Sequence, residues 1–182
     1  MKTVLIIHGI AGHAGIHWQK WLHDELVKKG YKVLMPNMPR ADHPDRSEWL
    51  QKIVTLTKED RPLKNLTMVG HSLGVTTVLD FIEQAGSPIT KLISVSGFGD
   101  DYGHELNSYF LGARDIKYKK VRNNLKNAQV LYGDDDPFVP QKTLKKLADD
   151  LSVKPIVIED GGHLNTKSGY TKFPKLLELI TQ

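Results

Sequence analysis

Leu66-Thr67-Met68-Val69-Gly70-His71-Ser72-Leu73-Gly74 carries the fold and the chemistry of this chain in nine positions. Leu66 to Val69 is an apolar run of strand character, and an apolar helical stripe of Val78, Leu79 and Ile82 follows, with Gly86 as its stop. Between them stands the pattern G-x-S-x-G, which is informative in that setting: a sharp strand-to-helix turn lifts its central residue out at the head of a helix. Such a turn holds the serine in a strained backbone conformation and brings the residues two positions away against each other, so glycine is expected at both flanks.

The same reading extends outward in both directions. Short, nearly continuous apolar runs recur at Thr3–Ile7, Lys32–Met35, Lys91–Val95, Gln129–Tyr132 and Pro155–Ile158, the pattern of strands buried on both faces. Helical stripes alternate with them: Trp18, Trp21, Leu22 and Leu26 before Gly30, then Trp49, Leu50, Ile53 and Leu56, then Leu144, Leu147 and Leu151, and finally Phe173, Leu176, Leu177 and Ile180. Strand and helix in alternation predict an α/β fold, a three-layer sandwich with a mostly parallel sheet of about six strands and right-handed crossovers. The 182 residues predict a single domain over 1–182, and the elements consume nearly all of them. The longest connection, Gly97 to about Lys126, must supply a crossover helix, so no cap domain fits and a shallow, open pocket is expected over Ser72.

Composition narrows the chemistry. With 40% apolar and 25% charged residues the chain is an ordinary globular one. The absence of cysteine removes disulfides, metal thiolates and a thiol nucleophile, leaving an oxygen or nitrogen nucleophile. Thr3–Ile7 is too short for a signal-peptide core and leads into His8-Gly9, and no apolar run approaches a membrane span, so a cytoplasmic protein without membrane association is expected. A net charge of +4 does not require nucleic acid. The local basic excess at Arg114, Lys117, Lys119, Lys120, Arg122 and Lys126 is read as a solvated face.

Ligands of parallel sheets bind at the carboxyl ends of the strands. A serine there needs a histidine base held by a carboxylate, in the chain order serine, acid, histidine. Of the eight histidines, His8, His13, His17, His23, His43 and His71 precede the serine; His104 and His163 follow it. His163, after Gly161-Gly162 and the last strand, is the expected base. His71 is expected to pack within the elbow. Asp136 is the expected acid, fixed by Pro137 on the turn Gly133–Pro140, with Asp134 and Asp135 as turn or solvent residues and Asp100 and Asp101 as rivals. Backbone N–H groups of Leu73, at the helix head, and Ile10, where Gly9 permits close approach, are the expected oxyanion donors. No cofactor and no metal are expected: His13 and His17 are spaced i, i+4, but Ala14-Gly15-Ile16 argues for loop. Tyr102, Tyr109 and Phe110 fit a pocket wall, a small lid or core.

Taken together, Val4-Leu5-Ile6-Ile7-His8-Gly9 with Trp18 and Trp21, the elbow, Gly133–Pro140 and Gly161-Gly162-His163 resemble the cap-less α/β-hydrolases of the retinoblastoma-binding serine hydrolase type, with their YdeN-like bacterial members. The resemblance covers nearly the whole chain and implies a triad at Ser72, Asp136 and His163, a six-stranded sheet and weak esterase activity. The plain His8-Gly9 departs from the extended glycine run of lipases, which favours small esters over bulky lipids. The expected partner is a small-molecule ester. Two alternatives use the same fold: an interaction module with little turnover, and an acyltransferase or perhydrolase resolving the same acyl-enzyme. Dehalogenase chemistry is disfavoured, since position 72 is a hydroxyl.

Overall fold

The computed structural model describes residues 1–60 and 63–182. Six strands, β1 (Thr3–Ile7), β2 (Lys32–Leu34), β3 (Leu66–His71), β4 (Lys91–Val95), β5 (Ala128–Gly133) and β6 (Ile156–Ile158), form one sheet in the order β2-β1-β3-β4-β5-β6. Every pairing is parallel, with Leu5 opposite both Leu34 and Met68, and Val69 opposite Ile93.

The near-continuous apolar character of the strands follows from burial on both faces. Leu5, Ile7, Met68, Leu92 and Val130 face one core layer, and Val4, Ile6, Val69, Ile93 and Leu131 the other. Helices α2 (Arg46–Leu56), α3 (Leu73–Gln84), α5 (Tyr118–Asn123) and α6 (Gln141–Asp150) cover the first layer through Trp49, Ile53, Val78, Leu79, Ile82, Val121, Leu144 and Leu147. Helices α1 (Gln19–Lys28) and α7 (Pro174–Thr181) cover the second through Leu22, Leu26, Leu176 and Ile180, joined by Trp18 and Phe173 just ahead of them. The three-layer α/β-hydrolase arrangement is thus present, and no separate cap domain occurs among the described residues. No described helix is long and apolar enough to cross a membrane.

The connection from β4 to β5 contains α5 as its crossover helix, and also the single turn α4 (Ser108–Leu111). A buried ion pair fastens it. Arg46, at the start of α2, meets Asp80 of α3 through two hydrogen bonds of 2.7 and 2.9 Å, and its remaining Nη1 donates to the carbonyls of Phe110, Leu111 and Arg114. Arg114 bonds to Glu83 at 2.5 Å, so it is a structural residue and not part of a solvated basic face. Lys119, Lys120, Arg122 and Lys126 are exposed, as expected of such a face.

The strand order reverses direction at β1: β2 lies on one side of it and β3 on the other. The crevice of a parallel sheet opens at such a switch point, so the loops after β1 and β3 meet there.

Candidate active site

Ser72 sits in that crevice, between β3 and α3, with φ +53° and ψ −129°. A non-glycine residue at positive φ carries a cost of order 1–3 kcal/mol, the strain expected of the elbow. The glycines allow two close approaches. A Cβ on Gly70 would lie 2.8 Å from Val75 Cα and 2.9 Å from the Val75 N bonded to Gly74, and one on Gly74 would strike the backbone carbonyls of Ile7, the last residue of β1, and His8. The elbow is therefore wedged between its own helix and the neighbouring strand.

Gly9 makes the third close approach. A Cβ there would lie 2.9 Å from Ser72 Cβ and 3.4 Å from Ser72 Oγ. The His8 ring fixes the adjoining peptide. Met38 N–H donates to His8 Nε2 at 3.0 Å, so the proton of the neutral ring is on Nδ1, from which it donates to the Gly9 carbonyl at 2.8 Å. Gly12 N–H binds that carbonyl too. In a trans peptide the C=O and the following N–H point oppositely, so the Ile10 N–H is turned away from His8. Neither the Ile10 nor the Leu73 amide has a hydrogen-bond acceptor among the described residues.

His163 and Asp136 are brought together as expected. Asp136 Oδ2 accepts from His163 Nδ1 at 2.8 Å, and its other oxygen accepts from Phe138 and Val139 N–H at 2.9 and 3.1 Å. The carboxylate is fully buried. With Nδ1 protonated, the His163 Nε2 carries a lone pair, and His163 lines the same hollow as Ser72. No hydrogen bond joins Ser72 Oγ to His163 in the described residues; in unliganded hydrolytic sites that contact is commonly long and tightens with substrate. The rival acids lie elsewhere: Asp100 pairs with Lys146 at 2.6 Å, and Asp101 binds Gly103 N–H and Ser108 Oγ.

The loop bearing His163 is fastened at three consecutive residues. Gly162 N–H donates to Asp135 Oδ1 at 2.6 Å, the His163 carbonyl meets His71 Nε2 at 3.0 Å, and the Leu164 carbonyl accepts from Trp18 Nε1 at 2.9 Å. Asp134 likewise accepts from Asp160 N–H at 2.9 Å. Asp134 and Asp135 are exposed turn residues, as expected, and they also tie the loop of His163 to the loop of Asp136. His71 is buried as expected, but it also holds the His163 backbone, a contact without any local sequence signal.

The hollow has a volume of about 420 Å³, within the range of small-molecule sites. Ser72 is only 9% exposed and lines the hollow. The β4–β5 connection contributes Tyr102, His104, Leu106 and Asn107 to its lining, with Ile10, Phe138 and Val139 from other loops. The three aromatics of that connection divide: Tyr102 lines the hollow, Phe110 is core against Trp49, and Tyr109 stacks on His43 at 4.4 Å. His13 and His17 share no helix, being in a run of turns, and no group of three or more potential metal ligands occurs among the described residues.

The family model described as serine hydrolase matches residues 4–182. This chain belongs to that serine hydrolase family. It is 30% identical to the YdeN protein of Bacillus subtilis (strain 168) over 99% of this chain and 95% of that one. It is 27% identical to serine hydrolase RBBP9 of Rattus norvegicus, over 98% of this chain and 93% of the relative. The crystal structure of the B. subtilis ydeN gene product superposes with a TM-score of 0.90 at 27% identity, covering 100% of this chain and 97% of that one. A serine hydrolase of α/β-hydrolase fold is what sequence and architecture jointly give.

Proposed function

We propose that this serine hydrolase is a carboxylic ester hydrolase acting on small esters through Ser72, His163 and Asp136, with the amides of Leu73 and Ile10 as oxyanion donors. The observation that carries the reading is the 2.8 Å bond from His163 Nδ1 to a fully buried Asp136, which leaves an unprotonated Nε2 on a hollow floored by a strained serine.

The chemistry follows from those positions. His163 Nε2 takes the Ser72 proton as Oγ attacks the ester carbonyl, and Asp136 orients the ring and stabilises the imidazolium. Negative charge builds on the carbonyl oxygen, toward which two amides without acceptors among the described residues would donate: Leu73 at the head of α3 and Ile10 beside Gly9. Each such donor is typically worth about 10² to 10³ in rate. Collapse expels the alcohol, which receives its proton from His163. Water, deprotonated by the same Nε2, then attacks the acyl group on Ser72 and releases the acid. The hollow admits small acyl and alcohol groups.

The test is hydrolysis of p-nitrophenyl acetate by the wild type and by Ser72→Ala and Asp136→Asn. Ser72→Ala is expected to lose at least about 10³ in kcat/KM, and Asp136→Asn about 10² to 10⁴. Unchanged turnover in Ser72→Ala contradicts the reading. Turnover that appears only when an alcohol or peroxide acceptor is supplied identifies a transferase in place of an esterase.

A further inference from the structure

One imidazole on the hollow has no part in the chemistry above. His17 lies in the turns before α1, partly exposed, with φ +59°, a conformation costly for a non-glycine residue. Its ring packs edge-on to His71 at 5.4 Å. Nδ1 receives the Thr166 amide at 3.2 Å and lies 3.0 Å from Thr166 Oγ1. A backbone amide can only donate, so Nδ1 carries no proton and the neutral ring holds it on Nε2. Burial, and then the nearness of His163, lower the His17 pKa to about 4, so the ring is neutral at ordinary pH. No protein acceptor meets Nε2–H among the described residues.

The surroundings have one sign of charge. The ionisable groups lining the hollow are His17, His71, His104, His163, Tyr102 and Lys167; no carboxylate lines it, and Asp136 is fully covered. Lys167 directly follows the threonine that holds His17, is exposed, and pairs with no acid among the described residues. Asn165 also lines the hollow, and its Oδ1 is occupied by Ser168 N–H at 3.2 Å and by Ser168 Oγ at 3.4 Å. A neutral N–H donor and an ammonium without an acidic partner among the described residues thus stand together, joined through Thr166, on a hollow that Ile10, Leu106, Phe138 and Val139 also line.

We propose that His17 and Lys167 form an anion subsite of this hollow, and that its substrates are small esters bearing a carboxylate on the part that reaches these two residues. The proposal rests on the ester-hydrolase reading and narrows it. Lys167 supplies the charge and His17 the directed hydrogen bond, a pairing that recognises a carboxylate oxygen and gains nothing from an alkyl chain.

The test separates binding from turnover. Ser72→Ala protein is titrated by calorimetry or NMR with monomethyl glutarate and with its neutral counterpart methyl pentanoate. The anion is expected to bind at least about tenfold tighter, a preference that shrinks with added salt. In the Ser72→Ala background Lys167→Gln removes the preference, Lys167→Arg retains most of it, and His17→Phe weakens the anion while leaving the neutral ester nearly unchanged. If His17→Phe fails to fold, the Lys167 pair still decides. Equal binding of the two esters, absence of saturable binding by the anion, or indifference to Lys167→Gln overturns the subsite. Wild-type turnover of neutral esters without anion preference would leave the hydrolase reading intact and remove only this one; anion binding without Ser72-dependent turnover would do the reverse.

Discussion

His71 and the backbone carbonyl of His163 meet at 3.0 Å, so the residue before Ser72 holds in place the loop that carries His163. A carbonyl can only accept, which fixes the His71 proton on Nε2. The ring is buried, tilted against His163 at 4.9 Å and edge-on to Trp18 at 6.0 Å. Replacing it by leucine leaves the carbonyl without its donor. The expected cost is about 1–3 kcal/mol in urea denaturation, with kcat reduced about tenfold and KM changed far less. His71→Gln, which can still donate, should restore part of kcat. A purely packing role for His71 would make leucine the better of the two.

Acid should destabilise this protein earlier than carboxylate titration alone requires. Burial depresses the pKa of His8 and holds that of His71 well below the ordinary 6.5, and His17 is lowered to about 4. In each case the unfolded chain binds the proton more tightly than the folded one, so stability is lost as pH falls below about 6.5. Each of these groups adds up to about 1.4 kcal/mol per pH unit to the slope between its unfolded and folded values. The urea midpoint should therefore be level above about pH 7.5 and fall between about pH 6.5 and 4. His17→Gln should make the fall shallower. A midpoint that rises on acidification contradicts the burial of these rings as neutral groups.

Gly9→Ala tests the contact between the loop after β1 and the elbow. The added methyl would sit 2.9 Å from Ser72 Cβ and 3.3 Å from the His71 carbonyl, so either the loop or the elbow must shift. The expectation is a stability loss of about 1–3 kcal/mol, the usual cost of overpacking, together with a large loss of kcat because Ile10 is displaced from Ser72. Full activity in a folded Gly9→Ala protein would remove the Ile10 amide from the site.

The pair Arg46 and Asp80 anchors the β4–β5 connection at Phe110, Leu111 and Arg114. Both side chains are almost wholly covered, at 6% and 0% exposure. Asp80→Ala leaves a buried guanidinium without its counter-charge and should cost about 3–5 kcal/mol by thermal or urea denaturation. The double change Arg46→Met with Asp80→Leu should cost less than Asp80→Ala alone, since it removes the stranded charge. Greater damage from the double change would mean that the three carbonyl contacts of Arg46 matter more than the ion pair.

Much of this was legible in the sequence because its signals are local. Five-residue apolar runs such as Thr3–Ile7 and Lys91–Val95 mark buried strands with almost no error at their ends, and Gly30 and Gly86 stand at positive φ just past their helices. The Pro137 turn singles out Asp136 because the constraint is carried by the next residue. What was hidden depends on partners distant in the chain. Asp135 reads as a turn residue until the fold brings Gly162 N–H to it, and His71 until it meets His163. His17 lies 149 residues from the threonine that fixes its tautomer, and Arg46 lies 34 from Asp80. Nothing in their immediate neighbourhood distinguishes them from surface residues.

The central claim is that Ser72 is a nucleophile activated by His163, and covalent labelling reads it directly. The wild-type protein is incubated with a fluorophosphonate near neutral pH and its intact mass followed, with the adduct located by peptide sequencing. A single adduct on Ser72 is expected, absent from Ser72→Ala and formed at least about 10²-fold more slowly in His163→Ala. An adduct elsewhere, or labelling of Ser72 at the same rate without His163, would contradict the account.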